Sequence, residues 1–138
     1  MQESSEVRDA LLNFYAKRTV GDATSFDDLV STEPTAFIGT APGEWFGDRE
    51  RLRRGFAWAV RLEAGPRPQG WADGSVGLAA DEPTMTVPDG TAIRTRLTMF
   101  FRLEDGAWKV FGYHFSTGVP DEEVEGLQDR WLADGGRP

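Results

Sequence analysis

The stretch Thr91 to Gly118, TAIRTRLTMFFRLEDGAWKVFGYHFSTG, leaves this chain few options. Two runs rich in Thr, Ile, Leu, Phe, Val and Tyr flank Glu104-Asp105-Gly106, a short acidic, glycine-bearing sequence that reverses a strand at low steric cost. The spacing predicts one long antiparallel hairpin. Read with a period of two, its first arm places Ile93, Thr95, Leu97, Met99, Phe101 and Leu103 on one face and Arg94, Arg96, Thr98, Phe100 and Arg102 on the other. The first face is the drier. In the second arm Phe111, Tyr113 and Phe115 alternate with Trp108, Val110, Gly112, His114 and Ser116, so both faces carry apolar weight. A sheet standing alone would leave Trp108 and Val110 in water, which predicts another element or another subunit over them.

The remaining sequence narrows the function classes. A chain of 138 residues fits a single domain, 1–138, and its sixteen aromatics are ample for one core, each able to bury roughly 150–250 Å². The formal charge of −8 argues against nucleic acid as a partner, because phosphate neutralisation needs clustered Lys and Arg. The nearest basic cluster is Arg49, Arg51, Arg53 and Arg54, with Glu50 inside it; it reads as a solvated helix face and leaves a small anion nearby open. The absence of cysteine excludes disulfides, thiol nucleophiles and thiolate metal sites. The N-terminal MQESSEVRD lacks the basic and apolar regions of a signal peptide, and no apolar run approaches the roughly eighteen residues a membrane span needs. The expectation is a soluble, cytoplasmic protein with no membrane partner.

In chain order, Val7, Ala10, Leu11, Phe14 and Tyr15 form one stripe of a helix capped by Ser4 or Ser5. Gly21-Asp22 ends it, and Thr24 with Asp27 resembles a capping box for a short second helix carrying Phe26, Leu29 and Val30 inward. Thr35 to Thr40 has the content of a short strand, turned by Ala41-Pro42-Gly43-Glu44. Asp48 caps a third helix with Leu52, Phe56, Ala59 and Val60 inward and Trp58 and Leu62 on the adjacent stripe, stopped by Gly65-Pro66. Glycines weaken the pattern from Gln69 to Thr86, where Trp71 and Val76 to Ala80 read as strand. Pro120 and three acids open a last helix over 120–133, whose thin stripe of Val124, Leu127 and Trp131 is expected to dock on the body, and Gly135 to Pro138 should fray. The order predicts an α+β fold in which a curved antiparallel sheet wraps the helices and leaves a cone-shaped cavity.

These segments resemble the nuclear transport factor 2-like superfamily, and within it the SnoaL-like proteins. The resemblance rests on the paired N-terminal helices ending near Gly21-Asp22, on Phe37-Ile38-Gly39-Thr40 followed by Glu44-Trp45-Phe46-Gly47 and a helix, and on Asp105-Gly106-Ala107-Trp108-Lys109-Val110 with His114 and Ser116. The last of these also resembles the end of kinase association domains. The likeness spans about 6–119. It implies a cystatin-like roll, an apolar pocket between sheet and helices, and a homodimer packed through the outer sheet face. Ketosteroid isomerase, scytalone dehydratase and polyketide cyclases belong to the superfamily, as do purely associative members, so the fold alone does not choose among functions.

Acid–base catalysis in such a pocket needs a carboxylate or His in an apolar setting and a donor for a developing oxyanion. The expected ligand-binding wall is Tyr15, Trp45, Trp58, Leu97, Met99, Tyr113 and Phe115, and none of these is a carboxylate. Where kinase association domains carry arginines, the likeness places Met99 and Phe115. Asp27, Asp28, Asp73 and Asp81 are conceivable bases whose simpler reading is a cap or turn acid. His114 is the only histidine and a natural proton shuttle, but strand parity sets it opposite Tyr113, as a dimer-face residue. Tyr113 could give a ligand carbonyl one hydrogen bond, or be a core tyrosine; Trp71, like Trp45 and Trp58, could be a stacking wall or plain core. One His and no Cys argue against a metal site, and no motif asks for a cofactor. The leading expectation is a homodimer that binds a small apolar or aromatic metabolite. An isomerase, dehydratase or cyclase using Tyr113 or His114 is the alternative, and a purely associative module the second.

Overall fold

The computed structural model describes residues 1–135. The expected fraying of Gly136, Arg137 and Pro138 therefore concerns residues outside those described. Strand β1 (Gln2–Glu3) precedes helix α1 (Ser5–Thr19), and a 3-10 turn (Ala23–Ser25) leads into α2 (Phe26–Leu29). A short hairpin, β2 (Phe37–Ile38) and β3 (Trp45–Phe46), leads to α3 (Arg49–Phe56). Strands β4 (Arg61–Glu63), β5 (Gln69–Asp73), β6 (Val76–Asp81) and β7 (Thr84–Thr86) precede the long pair β8 (Ala92–Glu104) and β9 (Ala107–Thr117), and α4 (Asp121–Ala133) follows. The sheet runs β1-β5-β6-β8-β9-β2-β3, with β7 on the first half of β8 and β4 beyond it.

The β8–β9 turn is two residues long, with Asp105 at φ 51° and Gly106 at φ 78° between paired Glu104 and Ala107. Two successive left-handed residues match the twist of the flanking strands, which is why Asp-Gly stands there. Among the described residues the named strands pair antiparallel except at one junction. Strand β2 runs parallel to β9, pairing Phe37 with Tyr113 and Ile38 with His114.

The period-two reading of β8 holds, with Thr95, Leu97, Met99 and Phe101 all buried on its inner face. That of β9 does not hold throughout. Phe100 pairs with Gly112 but Phe101 with Val110, so Phe111 is an extra residue and the two ends of β9 have opposite parity. Val110, 0% exposed, therefore shares the inner face with Tyr113 and Phe115, and Trp108 packs half-buried on the same core. The chain covers both residues itself: Val30 bridges to Val110, and Trp108 Nε1 donates to Glu6 at 3.4 Å. No second subunit is needed over them.

Helix α1 lays Val7, Leu11, Phe14 and Tyr15 on the inner face, and its Ser4 cap accepts from the Val7 N–H. The Thr24–Asp27 capping box does not form. Asp22 caps the 3-10 turn by accepting from the Thr24 N–H, while Asp27 binds Arg49 and Arg53, both of which also stack over Phe26. Helix α3 is capped by Asp48 as expected but stops at Phe56, short of the residues whose spacing suggested that it continues. Tertiary hydrogen bonds decide this. Residues 60 and 62 are tied to the end of α1 through Val60 N–H to Arg18 O and Leu62 N–H to Thr19 Oγ1, which draws Arg61–Glu63 into a strand. Nor does α4 dock: none of its residues is buried, and Trp131 is 57% exposed. Among the described residues no helix is long and apolar enough to cross a membrane.

Candidate functional site

Between the open half of the inner sheet face and helix α3 lies a cavity of about 470 Å³. That volume is in the range of small-molecule sites. Its wall is aromatic: Phe14 from α1, Phe26, Phe37, Phe46, Phe56, Trp58, and Tyr113 and Phe115 from β9. The rings hold one another edge to face, with Tyr113 4.8 Å from Phe37 and 5.1 Å from Phe115, and Phe14 5.6 Å from Phe56. This is the favoured arrangement for ring quadrupoles. Ile93, Leu62, Met85, Val87 and Pro88 close the strand side.

Of the residues expected to bind a ligand, Trp58, Tyr113 and Phe115 stand in this wall. Trp58 is 74% exposed and forms part of the rim. Tyr15, Trp45, Leu97 and Met99 lie elsewhere. Leu97 and Met99 share the inner face of β8 but are buried in the core. Trp45 pairs with Ile38 and is 65% exposed, whereas its neighbour Phe46 pairs with Phe37 and points inward. Trp71 pairs with Leu78 on the outer face, in line with Phe100, so it is no wall of this cavity. His114 is exposed on that outer face opposite Thr98.

Tyr15 is held by Asp81, the one buried aspartate among the described residues. Its hydroxyl donates to Asp81 Oδ2 at 3.1 Å, and the Gly65 N–H donates to the same oxygen at 3.1 Å. Burial, then the Asp81 charge and hydrogen bond, push the Tyr15 phenol far above its usual range. Asp81 is thus neither a cap nor a turn acid. It is 7% exposed, and its Oδ1 has no partner among the described residues. Asp28 and Asp73 are exposed, and Asp27 is held below the carboxylate range by its hydrogen bonds to Arg53 and Arg49, which leaves it a poor base.

The cavity does contain a carboxylate, in contrast to the expectation. Glu44 stands in the wall beside Thr40, and its Oε2 accepts from the Ala41 N–H at 3.0 Å. Arg18 and Arg51 also reach the cavity. Arg18 Nη1 donates to three carbonyls at the end of α3, Phe56 O at 3.0 Å, Trp58 O at 2.9 Å and Gly55 O at 3.3 Å, while the guanidinium lies 4.7 Å over the Phe56 ring. Arg51 stacks 4.4 Å over Phe46. Desolvation lowers the Arg18 pKa. Burial pushes the Tyr113 phenol up; the Arg18 charge opposes this shift and that of Glu44 adds to it. Tyr113 makes no hydrogen bond through its hydroxyl among the described residues. What results is an aromatic chamber with one unused phenol donor, one carboxylate and two guanidinium groups. Among the described residues no group of three or more His, Asp or Glu is placed to hold a metal ion.

Residues 7–122 match the SnoaL-like domain family. No curated protein matches the chain. Among solved structures it is similar to a cystatin-like protein from Caulobacter vibrioides, with a TM-score of 0.69 and 13% identity over 91% of this chain and 96% of that one. A candidate dehydratase of the NTF2-like family from Streptomyces avermitilis superposes with a TM-score of 0.70 and 14% identity over 83% and 96%. A candidate calcium/calmodulin-dependent protein kinase II association domain from Xanthomonas campestris gives 0.63 and 17% over 88% and 96%. Identities this low support a shared fold and nothing finer.

Proposed function

The chain belongs to the SnoaL-like domain family, and we propose that it binds a small apolar or aromatic metabolite in the cavity between its sheet and helices. The observation that carries this is the wall itself: about 470 Å³ of space is lined by edge-to-face aromatic rings, with the Tyr113 hydroxyl unspent on any described protein group. A core made only for stability would fill such a space, since each unfilled part of it forgoes dispersion contacts. We further propose that two copies associate through the outer sheet face. Trp71, Leu78, Phe100 and Phe111 form an apolar row across four strands there, and the likeness to an association domain agrees with it.

Glu44 supports a second reading, acid–base catalysis in the same cavity. A carboxylate to take a proton and the Tyr113 phenol to stabilise the resulting oxyanion are the pair that an isomerase or dehydratase requires, and a dehydratase candidate shares the fold. Native mass spectrometry of the purified protein tests the lead reading. A dimer retaining a small molecule is the expected spectrum; a monomer contradicts the dimer, and a cavity that stays empty with every apolar probe contradicts the binding reading. If a retained compound is turned over, Glu44→Gln and Tyr113→Phe should each lower kcat at least about a hundredfold; unchanged turnover in both removes the catalytic reading.

A further inference from the structure

Among the described residues, Arg18 is a half-buried guanidinium that lacks an anion. Elsewhere the half-buried guanidiniums are neutralised: Arg49 and Arg53 share Asp27, and Arg102 reaches Glu33. Arg18 is drawn out of water against Phe56 and toward the cavity, and among the described residues no carboxylate lies within ion-pair range of it. Three carbonyl dipoles hold Nη1 in place. They orient the group without cancelling its charge, and charges removed from water are ordinarily paired. The charge balance of the wall agrees: Arg18 and Arg51 against Glu44 leaves one net positive charge in a chain whose total is −8. Glu44 is itself engaged with the Ala41 N–H in the β2–β3 turn.

Resting on the binding reading, we infer that the ligand is an aromatic or apolar monocarboxylic acid whose carboxylate pairs with Arg18 and accepts a hydrogen bond from Tyr113, while its ring system lies among Phe14, Phe37, Phe56 and Phe115. The aromatic wall supplies affinity without direction, and the guanidinium with the phenol supplies the direction.

The test uses two probes of one shape, 2-naphthoate and 2-naphthamide, titrated into the full-length protein at pH 7 and low salt by isothermal calorimetry. Naphthoate should bind about tenfold or more tightly than the amide, since a charge-assisted contact is worth about 1.5–3 kcal/mol and 1.4 kcal/mol is a factor of ten. Arg18→Gln should bring that ratio close to one, Arg18→Lys should keep part of it, and Arg51→Gln should keep most of it. Because Arg18 also secures the end of α3, thermal melting of each variant accompanies the titration, and the wild-type ratio decides the matter if Arg18→Gln fails to fold. Equal binding of the two probes, or preference for the amide, overturns the inference while leaving the binding site intact. Loss of the ratio in Arg51→Gln but not in Arg18→Gln overturns the assignment to Arg18. Binding of neither probe overturns the binding reading and this inference with it.

Discussion

The two halves of the β8–β9 pair face the same layer of helices, yet one half is packed solid and the other encloses a cavity. Toward the hairpin turn, Met99, Phe101 and Val110 lie with Val7 and Leu11 in a core with all five side chains buried. On the side of β9 that meets β2, Tyr113 and Phe115 face empty space although they pair with the buried Met99 and Leu97, and toward the open end Ile93 faces it too. The cause lies on the neighbouring strands. At the packed half β5 and β6 present Gly70, Gly77 and Ala79, and α1 descends until a Cβ at Gly70 would meet Arg8 N at 2.5 Å and one at Gly77 would meet Val7 Cγ2 at 2.8 Å. At the open half, the Phe56 ring of α3 rests on Phe26 of α2 at 5.3 Å and on Phe14 of α1 at 5.6 Å. Small residues bring one helix onto the sheet, and at the other half large rings rest on one another. That difference makes a site.

The comparison can be broken by truncation on each side. Phe101→Ala should cost about 3–5 kcal/mol in urea unfolding, because the packed half cannot collapse around the loss. Phe46→Ala, on a wall already facing space, should cost under about 1.5 kcal/mol while weakening ligand binding. Equal costs would mean that the two halves are packed alike. Glycine replacement sharpens the cause: Gly77→Ala should cost about 1–3 kcal/mol by lifting α1, whereas Gly55→Ala, with nothing within 4 Å of its added methyl, should be neutral or slightly stabilising.

The outer face offers a third region for contrast. Phe100→Glu should weaken self-association about tenfold or more in sedimentation equilibrium and leave naphthoate affinity unchanged. The smallest expected effect is on acid stability. Burial pushes Glu104 up, but the Ser31 hydroxyl, the Thr32 N–H, Lys109 and Arg102 outweigh it and leave its pKa below the ordinary value, and Asp27 is lowered by its hydrogen bonds to Arg53 and Arg49. A depressed folded-state pKa gives stability that is full above the unfolded value, roughly 4, and is lost as pH falls through the folded one. Melting temperatures should therefore drop below about pH 4, less steeply in Glu104→Gln; identical slopes would show that this carboxylate is not held in the folded state.

Much of the scaffold was legible in the sequence because it depends on local chemistry. The Ser4 and Asp48 caps, the Asp105-Gly106 turn and the inner face of β8 each follow from residues close together in the chain. The bulge at Phe111 was not legible. An extra residue inserted between two apolar strands carries no composition signal, and it inverted the parity of Trp108 and Val110 and with it the argument for a partner over them. Tyr113 and Phe115, beyond the bulge, kept their expected face and reached the cavity wall. Leu97 and Met99 were on the correct face of the sheet but on its packed side, where α1 comes down onto small residues of β5 and β6: Met99 pairs with Ala79, which pairs with Gly70, and Gly77 pairs with the neighbouring Phe101. Arg18 could have been found, since the stripe Val7, Leu11, Phe14 projects next onto residue 18, where an arginine interrupts an apolar series. Glu44 could not, because its inward direction depends on the β2–β3 hairpin and on the parallel pairing of β2 with β9.

The central claim, that the open half of the sheet is a site while the packed half is not, is tested most directly by a ¹H–¹⁵N NMR titration with 2-naphthoate. The predicted result is a set of saturating shifts at Arg18, Gly55, Trp58, Tyr113 and Phe115, with Val7, Leu11, Met99 and Phe101 unmoved. Shifts confined to the outer row of Trp71, Leu78 and Phe100, or no saturable shift around Tyr113, would contradict it.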